Sequence, residues 1–226
     1  MVFVIDGPAG AGKSTTARRL AEQLGALYLD TGAMYRACTL RALRDGVDLS
    51  DPAALAETVE RARVELVPNA EGTQVLLDGE DVSAAIRTPE VTRAIHHLAN
   101  CPEVRERLVA QQRALARASE RSVVAEGRDL ASVVFPDAEV KVYLDASVEE
   151  RARRRQRDLG PAAPPFDELL AEIRARDERD RSRSVGPLVR VPEAVAVDTS
   201  SLSPAEVLER LHALATAAQN RCARET

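Results

Sequence analysis

The chain has 226 residues, 45% hydrophobic and 30% charged, which is typical of a folded globular protein. A net charge of −5 gives no whole-protein attraction to nucleic acid, and no apolar run approaches the ~20 residues of a membrane-spanning helix. Cys38, Cys101 and Cys222 are odd in number and widely spaced, which argues against a disulfide framework and against structural zinc. No basic, apolar leader precedes the first predicted strand. We therefore expect a cytoplasmic protein that binds neither nucleic acid nor membrane.

The first predicted elements are a buried strand over residues 2–6, a glycine-rich loop and a helix over residues 13–24. Residues 7–14 read GPAGAGKS, a complete match to the phosphate-binding pattern of glycine, any four residues, glycine, lysine and serine or threonine. Glycines let the loop's N–H groups turn toward a polyphosphate, and the helix N-terminus adds a positive dipole end. Lys13 adds a mobile charge, and the Ser14 hydroxyl is placed to bind Mg²⁺. The predicted ATP-binding residues are Gly7, Pro8, Ala9, Gly10, Ala11, Gly12, Lys13, Ser14 and Thr15.

The chain then continues with a short strand over residues 27–29 and a helix over 31–46. Helices are also predicted from residue 52 and after the prolines at 89 and 102, and alternating apolar residues predict a small antiparallel insert over 63–82. Thr31 opens one helix and Arg36 lies in its first turns, so both residues, with Arg105, are candidates for a second phosphate site. Arg36 could otherwise be an ordinary surface arginine.

Three further strands are predicted over residues 122–125, 140–145 and 194–197. Together with the two earlier strands and their helical connections, they predict a three-layer α/β/α domain with a five-stranded parallel sheet. The sequence EGRD, residues 126–129, follows the first of these strands. Open α/β sheets bind ligands at this edge, so Arg128 and Asp129 are candidate site residues, although EGRD could be merely a polar turn.

Residues 151–183 contain ten arginines and seven acids in an acidic protein, with a proline-rich break over 160–165. This segment could be a pair of solvated helix faces, or a mobile lid that closes cations over a migrating phosphoryl group. Arg176, Asp180 and Arg183 are spaced by four and three residues and so share one helix face. We favour the lid, because the phosphate loop supplies a site that such a lid would cover.

Several motifs, in this order, are similar to bacterial cytidylate kinases over nearly the whole chain. The motifs are IDGPAGAGKST, LDTGAMYR, DGEDVSAAIRT, PEVRERL, EGRDLASVVFPDA, KVYLDAS, RDERDRSR and VDTS. The glycine loop is common to many nucleotide-binding proteins, whereas GRD with VVFPDA and the pattern RD-x-x-D-x-x-R are specific to this family.

The resemblance implies a nucleoside monophosphate kinase that transfers the γ-phosphoryl group of ATP to CMP or dCMP with Mg²⁺. It implies one P-loop kinase domain over 1–226, with a core (1–30, 102–146, 186–226), a monophosphate-binding region (31–101) and an arginine-rich lid (147–185). Carried over by motif position, the catalytic residues are Lys13, Arg128, Arg176 and Arg183, and the metal ligand is Ser14. The implied monophosphate-binding residues are Thr31, Arg36, His96, Arg105, Arg128, Asp129, Arg176, Asp180 and Arg183.

The chain departs from the family pattern at three places. Glu126 replaces a frequent aspartate, and Ala131-Ser132 replaces Gly-Thr. His96 stands where the family usually has a serine that helps recognise the cytosine amino group, although it could simply cover a helix end.

Two other functions remain open from the sequence. One is another P-loop kinase for a small molecule or a different nucleoside monophosphate. The other is a non-catalytic nucleotide-binding switch, which the absence of a guanine-reading NKxD sequence disfavours. We expect a monomer whose partners are ATP and CMP or dCMP.

Overall fold

The computed structural model describes residues 1–69 and 72–225. In this part of the chain the strands are β1 (Val2–Asp6), β2 (Leu27–Asp30), β3 (Val64–Asn69), β4 (Gly72–Leu77), β5 (Glu80–Asp81), β6 (Val123–Gly127), β7 (Val140–Asp145) and β8 (Val195–Asp198). The α-helices are α1 (Lys13–Leu24), α2 (Thr31–Arg44), α3 (Pro52–Arg61), α4 (Pro89–Asn100), α5 (Pro102–Ala118), α6 (Val148–Leu159), α7 (Phe166–Arg181) and α8 (Pro204–Glu225). The chain forms two compact units, one of Met1–Tyr28 with the chain from Ser119 onward, the other of Leu29–Ala118.

The main sheet has the strand order β2-β6-β1-β7-β8. Strand β1 pairs in parallel with β6 and β7, and β7 pairs in parallel with β8. The side chains of Phe3, Val4 and Ile5 are all fully buried, which is why the central strand is continuously apolar rather than alternating. The predicted α/β fold with a five-stranded parallel sheet flanked by helices is confirmed.

Helices α1 and α8 pack on this sheet and bury its hydrophobic core. Leu20 of α1 and Leu211 of α8 are fully buried in one cluster with Phe3, Ile5 and Val142. Helix α1 ends at Gly25, whose φ of 59° is the left-handed conformation that the sequence predicts there. This packing holds the N-terminus of α1 next to the end of β1, where the glycine loop connects them.

The second unit contains α2 to α5 and an antiparallel sheet in the order β3-β4-β5. The predicted insert over 63–82 is confirmed, except that its residues 70 and 71 lie outside the described part of the chain. The helices predicted from Pro52, Pro89 and Pro102 begin at those prolines, and the Asp51 and Thr88 side chains cap two of them. Helix α5 groups with this unit, whereas the sequence assigned it to the core. The division into core, monophosphate-binding region and lid stays a prediction.

Ser147 and Glu150 have the sequence spacing that predicts a capping box at the start of α6, and only half of this box is present. Ser147 Oγ accepts a hydrogen bond from the Glu150 N–H at 3.2 Å. The Ser147 N–H donates instead to Ser200 Oγ at 2.9 Å, and the Glu150 carboxylate accepts from Arg154 Nε at 3.1 Å. Ser200, distant in sequence, and Arg154, one turn along α6, therefore replace the second half of the box.

Among the described residues, every helix is too short or too polar to span a bilayer.

We predict that Gly7→Ala severely destabilises the protein. Gly7 has φ 149°, and a Cβ built on it would lie 1.9 Å from the backbone oxygen of Leu144 in β7. Because both sides of this contact are backbone, the clash can only be relieved by moving a central strand, at a cost of about 3 kcal/mol or more. Urea unfolding measures the loss.

Gly25→Ala is the matched control for this substitution. Gly25 also has positive φ, but a Cβ there meets nothing within 4 Å. The control should therefore lose only the left-handed strain of about 1–2 kcal/mol. Equal losses in the two variants would contradict the packing argument.

Candidate active site

The glycine loop between β1 and α1 is held through its backbone carbonyls. Four consecutive carbonyl oxygens each accept a hydrogen bond from a side chain: Pro8 O from Lys13 Nζ (2.8 Å), Ala9 O from Arg151 Nη1 (3.2 Å), Gly10 O from Arg154 Nη1 (3.5 Å) and Ala11 O from Thr199 Oγ1 (3.2 Å). In a planar trans peptide the C=O and N–H point in opposite directions. Fixing these carbonyls against the protein therefore directs the N–H groups of the following residues to the opposite side of the loop.

Glycine is required at two positions of this arrangement. Gly10 and Gly12 have φ of 81° and 93°, which side chains with a Cβ rarely adopt. A Cβ on Gly10 would also lie 3.3 Å from the Cβ of Arg151. The loop can therefore approach α6 closely only because residue 10 is glycine.

Lys13 is buried, with 5% of its surface exposed, at the first position of α1. Burial lowers the pKa of its ammonium to about 7, and the positive charge of Arg128 adds to this effect. The negative charge of Glu126 acts in the opposite direction, as does that of Asp6. The lowered pKa is thus mainly a consequence of burial, and a bound polyphosphate would favour the charged form of the lysine.

Asp6 ends β1 and fixes the turn that follows Asp129. Its two carboxylate oxygens accept hydrogen bonds from the N–H groups of Leu130 (2.9 Å) and Ala131 (2.8 Å). Burial raises the pKa of Asp6 to about 6, although these two hydrogen bonds lower it. Through this contact the end of β1 holds the GRD turn, and with it Arg128 and Asp129, beside the phosphate loop.

The structure brings Arg128, Asp180 and Arg183 together. Arg128 Nε donates to Asp180 Oδ2 at 3.0 Å, and Arg183 Nη2 donates to Asp180 Oδ1. Burial alone would raise the pKa of Asp180, but the charges of Arg128 and Arg183 outweigh it and lower this pKa. The carboxylate is therefore ionised and orients both guanidinium groups. Arg176 is half-buried, and its charge acts on both Lys13 and Asp180.

The second unit holds three predicted residues of the acceptor phosphate site. Thr31 is buried at the first position of α2, a helix capped by the Asp30 side chain, which accepts from the Ala33 N–H at 2.8 Å. Arg36 Nη1 donates to Ile86 O at 3.0 Å and to Thr92 Oγ1 at 2.9 Å. The buried Arg105 guanidinium carbon lies 5.9 Å from the centre of the Tyr35 ring. Neutral groups thus help to position both arginines.

His96 lies on α4 one turn after Thr92, so the two residues share a helix face. Its Nδ1 is 2.7 Å from the carbonyl oxygen of Arg93. A carbonyl can only accept, so Nδ1 carries the proton and Nε2 is the acceptor of the neutral ring. The His97 ring packs against His96 at 4.1 Å between centroids.

Several residues that organise the site were missed by sequence reasoning. These are Asp6, Thr92, Arg151, Asp177 and Thr199, and each acts through a partner distant in sequence. A local signal exists for some of them, since Asp6 lies in IDGP, Arg151 in ERARR and Thr199 in VDTS. These motifs do not identify the carbonyl, carboxylate or N–H group with which each side chain forms its hydrogen bond.

The fold and the loop define a P-loop phosphotransferase. A glycine loop joins the central strand of a parallel sheet to a helix, and a lysine and several oriented arginines surround it. This combination neutralises a polyphosphate and a migrating phosphoryl group, which is the main requirement of phosphoryl transfer.

Comparison with known proteins gives the family. The cytidylate kinase family model matches residues 3–217. A cytidylate kinase of Pelotomaculum thermopropionicum is 49% identical over 218 residues, which are 95% of this chain and 96% of that protein. One of Geobacillus kaustophilus is 50% identical over 211 residues, 92% of this chain and 93% of that protein. The chain belongs to the cytidylate kinase family, and the predictions of this family and of an ATP-dependent kinase are confirmed.

A solved structure supports the fold independently. An uncharacterized protein from Eubacterium ventriosum matches with a TM-score of 0.53 at 10% identity, covering 93% of this chain and 95% of that one. At this identity the similarity shows the fold alone.

We predict that ATP binding loads a proton onto Lys13. With a pKa of about 7 the free lysine is mostly neutral at pH 8, and the phosphates of ATP raise this pKa by favouring the charged form. Binding at pH 8 should therefore take up close to one proton through Lys13, and ATP affinity should fall as pH rises above about 7. Calorimetry of ATP binding in buffers of different ionisation enthalpy measures the proton count.

Lys13→Met is the control, because proton exchange by ATP itself is common to both proteins. The difference between wild type and variant isolates the lysine. Identical proton counts would show that Lys13 is already charged before ATP binds.

Proposed function

We propose that this protein transfers the γ-phosphoryl group of ATP to CMP or dCMP, giving ADP and CDP or dCDP. The observation that carries the proposal is the phosphate loop with its four carbonyls held by side chains, in a chain of the cytidylate kinase family. The cytidylate kinases named above are relatives at about 49% identity over most of the chain. Their similarity extends through both units.

On the donor side, residues 7–15 would bind the ATP phosphates. The N–H groups of the loop and the N-terminus of α1 would contact the β and γ oxygens. Lys13 would leave Pro8 O and place its ammonium between these oxygens, where charge accumulates during transfer. The N–H groups of the loop are in position before ATP arrives, and only Lys13 would have to move when ATP binds.

Ser14 would bind the Mg²⁺ that accompanies ATP. It is exposed at the second position of α1 and offers one hard oxygen. The described residues contain no cluster of three or more His, Cys, Asp or Glu side chains that could hold a metal. A magnesium ion here would take its other ligands from phosphate oxygens and water, as Mg²⁺ commonly does, so the residues present fit it. The ion would neutralise charge on the β and γ phosphates.

On the acceptor side, Thr31, Arg36 and Arg105 would bind the phosphate of CMP, and Asp129 and His96 would contact the base. The trio of Arg128, Asp180 and Arg183, with Arg176, would hold the acceptor phosphate and the ribose and neutralise the transferring group. Arg36 and Arg128 are each fixed by a second hydrogen bond, so their forks are oriented rather than mobile.

The chemistry needs no protein base. A phosphate oxygen of CMP attacks the γ phosphorus, the bond to the β–γ bridging oxygen breaks, and ADP leaves with the electron pair. The acceptor oxygen is already ionised near neutral pH, so no proton has to be abstracted. The protein contributes positioning and charge neutralisation by Lys13 and the arginines.

An ADP-release assay with different acceptors tests the proposal. Purified protein is given ATP and Mg²⁺ with CMP, dCMP, UMP, AMP, GMP or TMP, and with shikimate and gluconate as non-nucleotide acceptors. The proposal predicts the highest kcat/KM for CMP or dCMP. A preference for another acceptor would assign a different kinase, and ATP binding without transfer to any acceptor would favour a nucleotide switch.

We predict that Asp180→Asn impairs use of the acceptor much more than ATP binding. Removing this charge frees Arg128 and Arg183 from their common partner, so both lose their fixed geometry. We expect a roughly 100-fold loss of kcat/KM for CMP with the Kd for ATP changed less than about threefold.

Glu178→Gln on the same helix is the control for charge removal, since Glu178 is exposed. It should behave as wild type. Equal kinetics for the two variants and the wild type would mean that the carboxylate of Asp180 has no role in acceptor use.

We predict that His96→Ala lowers selectivity for CMP over UMP by roughly tenfold, which is about the value of one hydrogen bond. Nε2 is an acceptor, so it matches the amino group of cytosine and opposes the carbonyl oxygen of uracil. His96→Ser should retain the selectivity because a hydroxyl can also accept. The ratio of kcat/KM for CMP and UMP measures this effect.

His97→Ala is the matched control, because His97 is adjacent and of the same type. It should keep the wild-type ratio. An equal ratio in all four proteins would place His96 outside base recognition, leaving that role to Asp129.

A further inference from the structure

Arg151, near the start of α6, is fully buried, and all three of its guanidinium nitrogens donate hydrogen bonds. Its guanidinium makes four hydrogen bonds: Nε to Ala146 O (3.0 Å), Nη1 to Ala9 O (3.2 Å), Nη1 to Asp177 Oδ1 (2.9 Å) and Nη2 to Asp177 Oδ2 (2.6 Å). The side chains of Arg151 and Asp177 are 1% and 3% exposed. Arg151 and Asp177 therefore form a buried, bidentate ion pair in a segment where most arginines are exposed to solvent.

The ion pair joins three elements. Arg151 lies on α6, Asp177 lies on α7, and Ala9 belongs to the phosphate loop. Gly10 lets the loop come within Cβ contact distance of Arg151. The position of α7 relative to the loop is therefore set by one planar guanidinium group.

Helix α7 carries a second carboxylate of the same kind, one turn later. Asp180 is three residues after Asp177, and it binds Arg128 and Arg183. One face of α7 is thus fixed at two successive turns, first to the phosphate loop through Arg151 and then to the GRD turn through Arg128. Arg176, adjacent to Asp177, is carried on the same helix.

We infer that Arg151 and Asp177 are a positioning pair, which sets the arginines of α7 against the phosphate loop for phosphoryl transfer. The inference rests on the proposed kinase function, because it assigns the pair to the geometry of the transferring group. Neither residue needs to touch either nucleotide. A shift of α7 by about 1 Å would misplace Arg176 on this helix and Arg183 two residues after its end. Misplacement of this size can cost about 100-fold in rate.

The desolvation of buried charges argues that stability alone does not explain the pair. Removing two charges from water offsets much of their attraction, so an apolar pair of similar volume often stabilises a fold equally well. The planar guanidinium group of Arg151 contributes geometry instead. It fixes the positions of the two Asp177 carboxylate oxygens relative to the Ala9 carbonyl of the loop.

The test compares this buried pair with an exposed pair that joins the same two helices. The variant Arg151→Met/Asp177→Leu replaces the buried pair with apolar side chains. The control, Glu149→Gln/Arg174→Gln, removes the ion pair between Arg174 Nη2 and Glu149 Oε1 (3.2 Å), whose side chains are 46% and 61% exposed for Glu149 and Arg174. Thermal unfolding and steady-state kinetics with ATP and CMP are measured for both.

We expect the buried double variant to fold with a Tm near that of wild type. Its kcat should fall by about 10–100-fold, with KM for ATP and for CMP changed less than about threefold, because the lost geometry matters mainly in the transition state. The exposed control should match wild type in all four values. A purely structural pair would instead lower Tm and leave kcat unchanged in the folded protein.

Arg151→Lys provides a second, milder variant. It retains a positive charge opposite Asp177 but loses the planar fork and part of the contacts with Ala9 and Ala146. A reduced kcat in folded Arg151→Lys supports the inference even where the double variant does not fold. Wild-type kcat in any folded variant of the pair overturns it, as does failure of both variants to fold, which would make the pair a stability element. Absence of CMP phosphorylation by the wild-type protein would instead defeat the proposed function.

Discussion

The active site depends on holding the carbonyl groups of the phosphate loop away from the nucleotide. Lys13, Arg151, Arg154 and Thr199 hold them, and three of these four side chains come from beyond residue 150. A planar peptide then directs the opposing N–H groups to the other side of the loop. The predicted anion site is therefore organised from behind the loop, mainly by side chains of α6 and of the turn after β8.

Burial disfavours the charged form of two ionisable groups beside the phosphate loop. The pKa of Lys13 is lowered to about 7, first by burial and then by Arg128, while burial raises that of Asp6 to about 6. A phosphate bound at Lys13 would favour the charged form of the lysine. Part of the cost of burying this charge would then be recovered on binding.

Local patterns in the sequence predicted the parts of the fold that local forces determine. Helix α1 begins at Lys13 and ends at Gly25 as predicted, because glycine conformations at both ends fix these bounds. The capping box at Ser147 was wrong in its second half, since Ser200 and Arg154 compete for its two members. The roles of Arg151 and Asp6 could not be predicted, because each depends on a carbonyl, a carboxylate or N–H groups that only folding brings near. Sequence motifs identified the side chains that are predicted to take part in the reaction. Tertiary contacts orient those side chains.

The affinity of Thr199→Val for ATP tests the central claim most directly. Thr199 is buried and belongs neither to the loop nor to any predicted site. Its hydroxyl shares one proton between Ala11 O (3.2 Å) and Asp145 O (3.0 Å), and it accepts from Arg154 Nη1 at 3.1 Å. Valine keeps its shape but cannot donate, whereas Thr199→Ser keeps the hydroxyl. Calorimetry should show ATP binding about fivefold weaker in Thr199→Val, close to 1 kcal/mol for one hydrogen bond, and unchanged in Thr199→Ser, with CMP binding unaffected in both. Wild-type ATP affinity in folded Thr199→Val would contradict the account.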